Sequence, residues 1–73
     1  MLSMKNYTKI QTEDMLIIIR NEFIKYMAYD IARGELTISF VEEEDATCLD
    51  LDIDSEYAYK LITAFEDWCQ LHE

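Results

Sequence analysis

Between residues 12 and 33 the apolar side chains Leu16, Ile19, Phe23, Met27 and Ile31 fall at steps of three and four, the period of a helix. Thr12-Glu13-Asp14 ahead of them offers a capping hydroxyl followed by acids in a first turn, where the helix dipole favours negative charge. Arg33-Gly34 supplies a matching stop, a cation in the last turn and a glycine just past it. The spacing therefore predicts a helix over residues 12–33. The same stretch also divides into two strands, residues 15–20 and 23–29 about Asn21-Glu22, because runs rich in Ile and Tyr suit a sheet. Asn-Glu is weak chemistry for a two-residue hairpin turn, which favours the helix.

From Leu36 the period changes to two. Leu36, Ile38 and Phe40 alternate with Thr37 and Ser39, and Leu49, Leu51 and Ile53 alternate with Asp50, Asp52 and Asp54, predicting two antiparallel strands joined by a loop at residues 41–46. Asp54 or Ser55 then caps a last helix. Ala58, Leu61, Ile62, Phe65 and Cys69 form its apolar stripe, which Tyr57, Ala64, Trp68 and Leu71 widen beyond a single core-facing band. A helix with so wide an arc is either nearly engulfed or meets another chain, with Trp68 and Leu71 at the margin of the seam. Residues 1–10 show no clear period and read as an irregular arm. The expected fold is a single α+β domain over residues 1–73, in the order α-β-β-α, with an antiparallel hairpin packed on two helices. A four-stranded antiparallel sheet with a C-terminal helix is the alternative.

Seventy-three residues suffice for one core. A hydrophobic content of 51% sets the chain apart from a disordered acidic tail. Its net charge of −10 opposes direct binding to nucleic acid or to anionic lipid and favours a basic partner. Cys48 and Cys69 are too few for a disulfide framework and no leader pattern opens the chain, so the cytoplasm is the expected compartment. The apolar run at residues 15–19 is far short of the roughly 20 residues of a membrane span.

The charge is unevenly placed. Residues 1–33 carry five basic and four acidic side chains, whereas residues 34–73 set Lys60 alone against twelve acids. Eight acids, Glu42, Glu43, Glu44, Asp45, Asp50, Asp52, Asp54 and Glu56, fall within fifteen residues, and no cation stands between Arg33 and Lys60. On a strand, alternate residues share a face roughly 6.7 Å apart, so Asp50, Asp52 and Asp54 are expected to form a row of carboxylates. Such a row resembles the phosphates of a nucleic-acid strand, and it is set against the repulsion of like charges and the poor strand propensity of Asp.

Asp50, Asp52 and Asp54 also imitate the opening of a calcium loop, but Ser55 stands where that loop needs glycine and Leu61 where it needs a bidentate Glu. Cys69-x-x-His72 with Cys48 is a weak half of a zinc motif, and both thiols read as small buried side chains. No metal or cofactor is expected. His72 is the sole histidine and lies near the end of the chain, and no glycine-rich phosphate loop is present, so a non-enzymatic binding role is expected.

Lys60-Leu61-Ile62-Thr63-Ala64-Phe65, with Trp68 just beyond and an acidic hairpin before it, resembles the helix of small acidic prophage anti-CRISPR proteins. That resemblance implies an inhibitor that imitates DNA charge and covers the basic surface with which a CRISPR nuclease reads duplex DNA. The likeness spans about ten residues of amphipathic helix. The chain offers no evident third strand and no further helix of that family's pattern, so no individual contact residue is carried over. The expected partner is the basic surface of a host nucleic-acid-binding protein, met by Glu42, Glu43, Glu44, Asp45, Asp50, Asp52, Asp54 and Glu56. An acidic antitoxin, or a homodimer joined through Trp68 and Leu71, is the alternative.

Overall fold

The computed structural model describes residues 6–41 and 48–72. Strands β1 (Tyr7–Gln11) and β2 (Leu16–Arg20) are followed by a single 3-10 turn at Asn21–Phe23. Strands β3 (Ile24–Asp30), β4 (Glu35–Phe40) and β5 (Cys48–Asp52) come next, and the helix α1 (Ser55–Leu71) closes the order. β1 and β2 pair antiparallel as one sheet, and β3-β4-β5 form a second antiparallel sheet with β4 at its centre.

The helix expected over residues 12–33 is absent; two strands occupy its place. Ile17-Ile18-Ile19 explains much of the difference, because consecutive β-branched residues are stiff in a helix and pack well on a pleated surface. Burial follows a period of two, with Ile17 and Ile19 turned inward and Leu16, Ile18 and Arg20 outward. The helical spacing was coincidental: of its five apolar positions, Leu16 and Phe23 are exposed and Ile31 is 85% exposed. The competing division into strands came near the observed bounds, but those strands do not pair with each other. β2 pairs with β1, all but Gln11 of which lies in the stretch expected to be an irregular arm, and β3 pairs with β4.

The supposed helix signals serve turns instead. Thr12 N–H donates to the Met15 carbonyl at 2.8 Å and Met15 N–H donates to Thr12 Oγ1 at 3.0 Å, so the hydroxyl expected to cap a helix closes the β1–β2 hairpin. Gly34, at φ 66°, closes the β3–β4 hairpin. Its N–H donates to the Asp30 carbonyl at 2.8 Å, and Arg33 N–H donates to Asp30 Oδ1 at 3.2 Å. A glycine in the left-handed region ends a hairpin loop as readily as a helix.

Leu36 and Ile38 of the central strand and Ile10 of β1 are fully buried. They share a core with Ile24, Leu51 and, from α1, Ala58, Leu61 and Phe65. Asp54 caps α1 by accepting from Tyr57 N–H at 2.8 Å. The helix also ties the β1–β2 hairpin to itself at both ends of β1: Gln11 N–H donates to Tyr57 Oη at 2.8 Å, and Trp68 Nε1–H donates to Asn6 Oδ1 at 3.0 Å. Tyr29 Oη–H adds a bond to the Ile53 carbonyl at 3.0 Å. No helix among the described residues is long and apolar enough to cross a membrane.

Candidate functional site

The outer face of the three-stranded sheet is built by register. Asp30 of β3 lies opposite Glu35 of β4, which lies opposite Asp52 of β5, and one step along Ala28 and Thr37 lie in line with Asp50. Directly opposed residues on one face have Cβ atoms about 4.5–5.5 Å apart, and like charges there are destabilising. Three carboxylates thus run across the sheet while Asp50 and Asp52 run along its edge strand. Asp30, Asp50 and Asp52 are exposed and Glu35 is half-buried. The Thr37 hydroxyl donates to Asp50 Oδ1 at 2.9 Å, orienting that carboxylate.

Beside this face an open groove of about 650 Å³ separates the β1–β2 turn from the edge of β5. Glu13 and Asp14 stand on one bank, with Asp50, Asp52 and Asp54 on the other, and none of the described residues lining it is Lys or Arg. Its walls hold five carboxylates.

Asp50 and Asp52 are where the alternation predicted them. Asp54 is not the third member of the strand row, because β5 ends at Asp52 and Asp54 is committed to capping α1. Asp54→Ala is expected to cost about 1 kcal/mol, the usual worth of such a cap, while Asp54→Asn stays within a few tenths. Urea melts of the two variants check this. Glu56 lies exposed in the first turn of α1, and Glu42, Glu43, Glu44 and Asp45 lie outside the described residues.

Asp30, Glu35, Glu13 and Asp14 were missed. The signal for Asp30 and Glu35 was the hairpin centred on the turn at residues 31–34, and that for Glu13 and Asp14 was the β1–β2 turn at residues 12–15; the helical reading of residues 12–33 hid both.

Trp68 is half-buried, engaged by Asn6 and stacked near Phe65 and His72, with ring centroids 6.1 and 4.4 Å away. Leu71 is 67% exposed. Cys69 is half-buried, but Cys48, expected to be a buried thiol, is exposed at the start of β5 because its position in the alternation faces outward with Asp50 and Asp52. Alkylation of the native protein is expected to modify Cys48 ahead of Cys69, as peptide mapping would show. Among the described residues no three His, Cys, Asp or Glu side chains converge as a metal cage.

Comparison of the chain with protein-family models, curated proteins and solved structures gave no match.

Proposed function

We propose that this chain is a non-enzymatic binding protein of the phage-inhibitor kind, which imitates the charge of DNA and occupies the basic nucleic-acid-binding surface of a host protein. The observation that carries this reading is the cross-strand row Asp30, Glu35 and Asp52, extended along β5 by Asp50. A sheet selected for stability alone would place Thr, Lys or Arg opposite one of these acids. Arginines that grip phosphates recognise carboxylates by the same charge-assisted, often bidentate hydrogen bonds, and a one-signed face also speeds encounter with a basic groove. The likeness of Lys60-Leu61-Ile62-Thr63-Ala64-Phe65 and Trp68 to the anti-CRISPR helix supports a CRISPR nuclease as the host protein.

The test is capture from a bacterial lysate on the immobilised protein, elution with duplex DNA, and mass spectrometry of the eluate. Nucleic-acid-binding proteins should be released by DNA and should be missing from a column carrying Asp30→Asn, Glu35→Gln, Asp50→Asn and Asp52→Asn together. Retention of the same proteins by both columns would overturn the reading.

A further inference from the structure

The β1–β2 hairpin carries the opposite chemistry from the acidic sheet. Among the described strands β2 pairs with β1 alone. Asn21 N–H donates to the Asn6 carbonyl at 2.9 Å and Thr12 N–H to the Met15 carbonyl at 2.8 Å, which fixes the alternation of the ladder between them. The backbone groups of Ile17 and Ile19 therefore face β1, and those of Leu16, Ile18 and Arg20 face away from it. The corresponding outer edge of β1 is engaged by the helix, where Gln11 N–H meets Tyr57 Oη. Among the described residues no strand covers the edge of β2. Its outward side chains, Leu16 at 57% and Ile18 at 61% exposure, are large and apolar. Sheet edges are ordinarily blunted with charge, proline or a bulge, and β2 offers only Arg20, at its end.

We infer that β2 is a self-association edge, on which a second copy of this chain adds its own β2 in antiparallel register about Ile18. That register satisfies backbone, inner face and outer face together. Every outward-facing backbone group finds a partner, with Leu16 opposite Arg20, Ile18 opposite Ile18, and Arg20 opposite Leu16. On the inner face the half-buried Ile17 of each copy meets Ile19 of the other and extends the core across the seam. At each end of the seam Arg20 of one copy lies opposite Leu16 of the other, next to the β1–β2 turn that carries Glu13 and Asp14, so a cation meets an acidic turn at both ends. The interface is isologous, the same patch used twice. An extended segment of some other protein would fit the backbone edge but would have no cause to repeat, at both ends, the Ile17–Ile19 contact and the placing of Arg20 beside an acidic turn. The seam uses none of Asp30, Glu35, Asp50 or Asp52, so two acidic faces remain available in one dimer.

Sedimentation of the full chain in about 0.15 M salt, which damps the mutual repulsion of two strongly acidic copies, tests the inference. A seam this short should give a weak, reversible dimer. Ile18→Lys, which sets two cations face to face at the symmetry axis, should weaken it at least about tenfold while circular dichroism stays native, since Ile18 is exposed. Arg20→Asp should weaken the dimer as well, and adding Asp14→Arg on the same chain should restore it. A protein that stays monomeric up to about millimolar concentration overturns the inference, since even weak specific interfaces associate in that range. A dimer untouched by Ile18→Lys, or lost instead on Leu71→Ala, overturns it as well.

Discussion

Ile38→Ala is expected to remove about 3 kcal/mol of stability, within the range measured for deleting a fully buried Ile side chain. Ile38 is inaccessible to solvent in the central strand, with Met27 and Leu49 opposite it on β3 and β5. Truncation would leave a cavity that neither flanking strand can close without breaking its ladder to β4. A chain of this length has roughly 4–11 kcal/mol in total, so a large part of its stability would go with one side chain. The control is Ile18→Ala. Ile18 is equally apolar and β-branched, but it is 61% exposed on β2, and its loss from the monomer should stay within about 0.5 kcal/mol. Urea melts at a concentration below self-association separate the two. Equal losses would mean that the division of β2 and β4 into exposed and buried positions is wrong.

The largest effect on function is expected from neutralising the acidic sheet face. With Asp30→Asn, Glu35→Gln, Asp50→Asn and Asp52→Asn combined, the directly opposed carboxylates no longer repel, and each relieved pair returns roughly 0.2–1 kcal/mol. Melting temperature should rise by several degrees, since about 1 kcal/mol shifts a domain of this size by roughly 4–8 °C. Asp54 is left in place because it caps α1 and lies outside the strand row. Binding to a basic host surface should fall by roughly 100-fold or more, as charge-complementary contacts are removed together. A gain in stability with a loss of binding is the mark of charge held for recognition. Unchanged binding would make the face a solvated surface and nothing further.

The strands β4 and β5 and the helix α1 were legible because each shows one clean period, and the Asp54 cap is a local hydrogen bond that local sequence can specify. Residues 12–33 were not legible in the same way. Their apolar positions satisfy a helical stripe and a two-period strand at once, and the choice is made by partners distant in sequence, with β1 pairing β2 and β4 pairing β3. Thr12 and Gly34 were recognised as punctuation but assigned to helix ends, since one hydroxyl acceptor and one left-handed glycine serve both kinds of boundary. The candidate site was half legible for the same reason. Asp50 and Asp52 share one strand, so their common face follows from alternation, whereas Asp30, Glu35, Glu13 and Asp14 join them only through tertiary register.

The central claim is competition: the carboxylates of this face and the phosphates of DNA occupy one basic surface. Its most direct test is an equilibrium titration of the captured host protein, already bound to labelled duplex DNA, with the acidic chain, followed by fluorescence anisotropy at several salt concentrations. DNA should be displaced completely, at a stoichiometry set by the number of sites, and the chain's own affinity should fall steeply as salt rises. A ternary complex, in which the chain binds while the DNA stays in place, would contradict the account.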